Sequence, residues 1–162
     1  MNNSTTIPNN IFFSEVESMI KEGQKVRIKV IGTSMQPTFR HSRDEIVLSS
    51  FEPMQLLPLS VVLFNRTPSS KCVHRIVRRN GDILFIRGDG NYGSFEIANV
   101  EDVTALVVGG TMRDGRPFSI NDLKWKRWSA FWVKIYPLRL AYFRTKHFLG
   151  TIYRKLFKHI TL

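Results

Sequence analysis

The sequence predicts a mostly β fold: a curled or barrel-like sheet with a short N-terminal helix and a helical, basic C-terminal tail. Three observations predict it. Short apolar runs recur between Val26 and Ser119, each bounded by Gly, Pro or Asn. The run Val26-Arg27-Ile28-Lys29-Val30 alternates apolar with cationic residues, the period of a half-buried strand. Asn80-Gly81 and Asp114-Gly115 fall between apolar runs, where tight hairpin turns belong. Many short strands without an internal repeat make one sheet-built body.

The elements follow in order. Asn9 or Asn10 caps a helix that runs to about Glu22 and stops at Gly23. Phe12, Phe13, Val16, Met19 and Ile20 form its apolar stripe. Val26 to Ile31 is a strand, broken by Gly32, and Pro37 bends the chain beyond it. Glu45 to Ser49 is a short strand, and Pro53 and Pro58 punctuate the loop after it. Val61 to Phe64 is apolar throughout, as a strand buried on both faces is. Asn65 to Ser70 is a polar turn containing Pro68. Cys72 to Arg79 and Asp82 to Arg87 pair across Asn80-Gly81, and Gly88-Asp89-Gly90-Asn91 then loosens the chain. Val103 to Val108 is a strand ended by Gly109-Gly110, and Thr111–Arg113 pairs with Arg116–Ser119. Pro137 and Gly150 divide the remainder into two or three helical pieces. The expected organisation is a helical segment at 1–24, a β body at 25–122 and a tail at 123–162.

Charge is unevenly placed. The chain carries +11 overall, but residues 123–162 hold ten Lys/Arg and no acid. The body is therefore near neutral and the tail is cationic. One cysteine, Cys72, excludes an internal disulfide, and the four histidines lack ligand spacing, so neither a metal nor a cofactor is expected. The polar start of the chain has no export signal, and no run reaches the apolar length of a membrane span. A cytoplasmic or peripheral location on the cytoplasmic face of a membrane is the resulting expectation.

Candidate chemistry lies on the bend and the hairpin. Ser34, in Gly32-Thr33-Ser34-Met35-Gln36-Pro37-Thr38, is a hydroxyl presented where a strand stops and the chain turns. Such a bend is also an ordinary Ser/Thr turn, so its weight depends on His74 in Val73-His74-Arg75-Ile76-Val77. With Asn80-Gly81 as a two-residue turn, Arg79 faces Asp82, Ile76 faces Phe85 and His74 faces Arg87. Asp89 then shares a face with His74 and lies diagonal to it, unless a bulge intervenes. A carboxylate there fixes the imidazole tautomer and frees the other nitrogen as a base. Arg87 opposite His74 opposes the imidazolium, and Asp89 favours it. The plain alternatives are a satisfied strand histidine and a Gly-Asp-Gly turn residue. Cys72, two residues from His74, is a disfavoured rival nucleophile because it sits mid-strand.

Ser34-Met35-Gln36-Pro37-Thr38, Ser60 to Phe64, Val73 to Val77 and Gly88 to Asn91 resemble, in this order, the sequence boxes of type I signal peptidases. That superfamily includes the self-cleaving SOS repressors, and the resemblance spans about residues 25–110. It implies a β-rich serine peptidase with Ser34 as nucleophile, His74 as general base and Asp89 as the acid near or on the histidine. It also implies an extended peptide or precursor-protein substrate paired along a strand edge. Bacterial members place a lysine where His74 stands, while archaeal and endoplasmic-reticulum forms have histidine; Lys71 is not the matching position. Gly32 stands where many bacterial members carry an oxyanion-stabilising hydroxyl, so the oxyanion falls to backbone N–H groups at Ser34 and Met35. Tyr92 to Glu96 lacks the family's second aspartate, and no transmembrane helix precedes the serine box.

The tail interleaves Trp125, Trp128, Trp132, Tyr136, Tyr142 and other aromatics with its cations. Leu149, Ile152, Tyr153, Leu156 and Ile160 recur at helical spacing, with Arg154, Lys155 and Lys158 opposite. Three readings compete: an interfacial membrane anchor, a helical cap on the body, and a nucleic-acid surface. The last is disfavoured because no nucleic-acid-binding motif is visible. The functional expectation is a serine endopeptidase acting at or near a membrane surface, against an inactive peptide-binding module of the same fold. A self-cleaving repressor is disfavoured because too few residues precede the fold for a DNA-binding domain.

Overall fold

The computed structural model describes the backbone of residues 9–67 and 70–157, and side chains over 11–67, 70–146 and at Leu149. Helix α1 (Asn9–Lys21) ends where its sequence dictates. Gly23 takes a φ of 79°, its N–H donates to the Ile20 carbonyl at 3.0 Å, and the Gln24 N–H reaches the Met19 carbonyl at 2.9 Å. This double closure needs a residue in the left-handed region, which glycine adopts without a steric penalty. Val16 and Ile20 are buried and Phe12 and Phe13 pack against the same core, but Met19, expected in the stripe, turns outward.

Eight strands form one antiparallel sheet: β1 (Val26–Lys29), β2 (Glu45–Ser49), β3 (Val61–Thr67), β4 (Ser70–Asn80), β5 (Ile83–Arg87), β6 (Glu96–Asn99), β7 (Val103–Thr111) and β8 (Pro117–Ser119). Their order is β1-β2-β7-β3-β4-β5-β6, with β8 also on β7. Among the described residues β1 pairs only with β2 and β6 only with β5. The sheet is therefore open, which corrects the barrel expectation.

Alternation along the central strands makes two cores, one on each face. Val61 and Leu63 join Val26, Ile28, Ile46, Leu48, Ala105 and Val107, while Val62 and Phe64 join Leu56, Ile76, Leu84, Ile86 and Leu106. The run Val61 to Phe64 is thus buried on both faces, as its unbroken apolarity requires.

Several elements differ from the expectation, beginning with the first strand, which ends at Lys29 rather than Ile31. The polar turn shrinks, because β3 continues to Thr67 and β4 resumes at Ser70. Gly109 and Gly110 do not end β7 but lie within it. A Cβ on Gly110 would meet the Glu45 carbonyl at 2.1 Å, and one on Gly109 the Phe118 carbonyl at 2.6 Å. These glycines let β2 and β8 close on the strand from either side. Strand β6 was not expected, since Glu-Ile-Ala-Asn carries little apolar pattern and buries only Ala98.

Helices α2 (Leu123–Lys134) and α3 (Tyr136–Phe157) divide at Ile135, with Pro137 in the first turn of α3 where its missing N–H costs nothing. Gly150 lies inside α3 and does not break it. Helix α2 belongs to the body: buried Trp125 stacks on Phe118 at 4.6 Å and on Phe39 at 5.6 Å. On α3, Leu138, Tyr142 and Leu149 stand exposed along one side. The side chains of Ile152, Tyr153, Leu156, Ile160, Arg154, Lys155 and Lys158 lie outside the described residues. Among the described residues, no helix is long and apolar enough to cross a membrane.

Candidate active site

The turn after β1 holds Ser34 rigidly. Gly32 bends the chain at a φ of 97°, and its N–H donates to His41 Nδ1 at 2.9 Å. The Gln36 and Phe39 N–H groups close on the Thr33 and Met35 carbonyls at 3.0 Å each. Met35 and Phe39 are buried anchors on either side of the bend, which leaves Ser34 half-buried at its surface.

From there the Ser34 Oγ lies 2.9 Å from His74 Nε2. His74, on β4 opposite Val62, is 2% exposed, and its ring leans on Phe64. Its other nitrogen, Nδ1, is 2.5 Å from Glu96 Oε2. Glu96 Oε1 accepts in turn from Arg66 Nε at 2.9 Å. Hydroxyl, imidazole and carboxylate thus form one chain, with a guanidinium behind the carboxylate. A carboxylate on Nδ1 keeps the proton there, and Nε2 faces the serine as an acceptor.

The acid on the histidine is therefore Glu96, not Asp89. Both Asp89 oxygens are bound elsewhere: Oδ1 accepts from Arg75 Nε at 2.8 Å, and Oδ2 from Arg75 Nη2 at 2.7 Å and Thr38 Oγ1 at 2.5 Å. The cause is a register change. The hairpin turns on Gly81-Asp82, since Asn80 pairs with Ile83, and this two-residue shift alone would leave every face as expected. A bulge between Ile76 and Arg78 then adds one residue to β4, so Arg75 rather than His74 opposes Arg87. One extra residue reverses which side chains share a face. Arg75 is carried onto the face of Asp89, and His74 onto that of Gly88, where a Cβ would lie 3.0 Å from His74 Nε2.

Asp89 is nonetheless next to the site. The Gly90 N–H donates to the Ser34 carbonyl at 2.7 Å, which ties the 88–91 turn to the serine bend. Arg75, fully buried, also reaches the Leu59 carbonyl and Ser129 Oγ, both at 2.8 Å. Trp132 Nε1 donates to the Asp89 carbonyl at 3.1 Å, and Arg139 Nη2 donates to the same oxygen. The first part of the tail is therefore a lid over this buried pair, consistent with the cap reading.

Other candidates separate from the site. Lys71 Nζ binds Glu17 Oε1 and Asn65 Oδ1 at 2.5 Å each, and its hydrogen bond holds the Glu17 carboxyl below its ordinary value. It fastens α1 to the sheet. Burial, and then the charge of Glu96, pushes the Cys72 thiol up, away from a reactive thiolate. Arg87 does not bear on His74; its guanidinium lies 3.3 Å from the Tyr136 ring centre and 4.7 Å from that of Phe95. The N–H groups of Ser34 and Met35, expected to hold the oxyanion, have no partner among the described residues. No group of three His, Cys, Asp or Glu side chains among the described residues could hold a metal ion.

Glu96 was the residue that sequence reasoning missed as a site member. A signal existed: it is the only acid between Asp89 and Glu101. No protein-family model matches the chain, and no curated protein matches its sequence.

Proposed function

We propose that this chain is a serine endopeptidase of the signal peptidase type, with Ser34 as nucleophile, His74 as general base and Glu96 as the group that orients the base. The observation that carries the reading is the hydroxyl 2.9 Å from His74 Nε2, with a carboxylate on the opposite ring nitrogen. In the reaction Ser34 Oγ attacks the scissile carbonyl carbon while its proton passes to Nε2. The imidazolium is stabilised by Glu96 and then gives the proton to the departing amine. Water repeats the sequence on the acyl-enzyme. Asp89 serves by joining the buried Arg75 to the serine bend, since its Oδ2 accepts from both Arg75 and Thr38 Oγ1.

The same reading places the enzyme at a membrane surface. Exposed Leu138, Tyr142 and Leu149 on α3, among ten cations and no acid in residues 123–162, fit an anionic bilayer. Sedimentation with anionic vesicles tests this; loss of binding in a Leu138→Asp/Tyr142→Asp variant is the expected outcome. For the catalytic reading, a fluorophosphonate probe should label the wild-type protein at Ser34 and leave Ser34→Ala unlabelled. Comparing new protein N-termini in cells with active or Ser34→Ala protein then identifies substrates. A folded protein whose Ser34 never labels would leave the inactive peptide-binding module in its place.

A further inference from the structure

We propose that the groove between the end of the serine bend, the β7–β8 turn and the start of α2 binds an acidic peptide segment with apolar side chains. Its source rests on the serine-peptidase reading: the segment belongs to the precursor that Ser34 cuts. The groove encloses about 870 Å³, within the range of sites that hold a small ligand. Its apolar wall is Met112, Phe118, Leu123, Trp125 and Trp128. Leu123 and Trp128 are 61% and 37% exposed, so part of this wall stands open to a partner. Pro37 and Thr38, shortly after Ser34 in the chain, also line it, and Trp128 Nε1 donates to Thr38 Oγ1 at 3.3 Å.

Charge gives the groove its preference. Asp44, 2% exposed, accepts from the backbone N–H groups of both Arg40 and Arg113 at 2.7 Å each. One buried carboxylate thus roots two exposed arginines side by side on the rim. Exposed Lys124 also lines the groove, and Arg43 shares one adjoining hollow with Arg40 and another with Arg113. The side chains of these four cations have no ion pair or hydrogen bond among the described residues. The other acids of the groove are engaged. Asp114 holds Arg116 at 2.6 Å, and Asp122 accepts from the Ser119 N–H at 2.7 Å. Unpaired cations beside an apolar wall favour carboxylates carried on an apolar backbone of side chains.

The chain does not supply that complement from its own ends, because residues 1–8 and 123–162 contain no acidic side chain. A second copy brings a net charge of +11 and is repelled. A bilayer presents a flat face, and a nucleic-acid strand calls for cations along a track. These cations share one hollow, into which a peptide side chain fits.

The test uses a fluorescein-labelled peptide that alternates glutamate with leucine and phenylalanine. Its anisotropy is read against the full chain carrying Ser34→Ala, so that it is not cut. Arg40→Ala/Arg113→Ala should weaken binding about 3- to 30-fold, the effect of losing two exposed ion pairs. The N–H groups that Asp44 holds are backbone, so the unfolding midpoint should stay in place, and Arg40→Lys/Arg113→Lys should keep most of the affinity. Lys25→Ala/Lys29→Ala removes the same charge outside the groove and should bind like the parent. Leu123→Ser should also weaken binding, and tryptophan fluorescence should change as the peptide enters. Unchanged affinity in Arg40→Ala/Arg113→Ala, or an equal loss in the Lys25/Lys29 control, would overturn the proposal. So would a larger loss for phosphatidylglycerol vesicles or a single-stranded oligonucleotide than for the peptide, which would assign the groove to that partner. Fluorophosphonate labelling of Ser34, which needs no acidic segment, should keep its wild-type rate in the Arg40→Ala/Arg113→Ala variant. Peptide binding by a protein whose Ser34 never labels would overturn the peptidase reading and leave the groove site intact.

Discussion

Replacing Asp89 by Asn and Glu96 by Gln should give opposite phenotypes. The Arg75–Asp89 pair is out of water, with side chains 0% and 4% exposed, and is joined by two hydrogen bonds of 2.8 and 2.7 Å. Asp89→Asn leaves the Arg75 charge buried without a counter-charge, which costs about 3–5 kcal/mol. Against a total stability of about 5–15 kcal/mol, that is roughly a fifth or more of what holds the domain together. For a chain of this size the midpoint of thermal unfolding should fall by roughly 6–20 °C. Glu96 is on an edge strand and its guanidinium partner, Arg66, is 57% exposed, so Glu96→Gln should move the midpoint by only a few degrees. Its effect is on Nδ1: an amide N–H turned toward the ring selects the wrong tautomer, and Ser34 labelling should slow by roughly 10²- to 10⁴-fold. Tryptophan fluorescence on heating and the fluorophosphonate rate read the two effects separately. An Asp89→Asn protein with the wild-type midpoint but no Ser34 reactivity would refute the assignment and return Asp89 to the histidine.

Three further outcomes are expected. Cys72→Ser should retain full Ser34 labelling, and the native thiol should react slowly with iodoacetamide at neutral pH, because burial holds it protonated. The Glu17 carboxyl is held low by Lys71, so its stabilising effect is full above the ordinary carboxylate value of 4.5 and fades as the pH falls below it. Glu17→Gln should therefore cost about 1 kcal/mol in urea unfolding at pH 7, and the difference from wild type should shrink as the pH is lowered below 4.5. Ending the chain after Asp122 should lower the unfolding midpoint sharply and promote aggregation, because it strips Trp125 and Ser129 from Phe39, Phe118 and Arg75.

Local patterning made most of the fold legible. Alternation at Val26 to Lys29, the unbroken run at Val61 and the glycine stop at Gly23 each state a local preference that packing did not override. Ser34 and His74 were legible because a bend after a strand and an imidazole on a strand leave short-range marks, and the structure brings the two side chains within 2.9 Å of each other. The third member was not. Which acid meets His74 depends on a bulge at Val77, and nothing in Arg75-Ile76-Val77-Arg78 distinguishes a bulged strand from a regular one. Glu96 lies on a four-residue strand held by its neighbour rather than by its own pattern. The tail misled through composition: Trp125 and Ser129 look like the rest of an aromatic, cationic segment, yet they are core residues once Arg75 lies beneath them. Gly150 warned of a break, yet α3 runs on through it.

The lid over Arg75 and Asp89 also sets a timetable for synthesis. Ser34, His74 and Asp89 all leave the ribosome before Trp125, Ser129, Trp132 and Arg139, which enclose the ion pair and grip the Asp89 carbonyl. A nascent chain stalled after β8 thus carries every reactive group but has an ion pair still open to water. On the serine-peptidase reading proposed above, the support beneath the serine bend would be finished only once translation has passed α2, and the emerging chain would be spared premature attack.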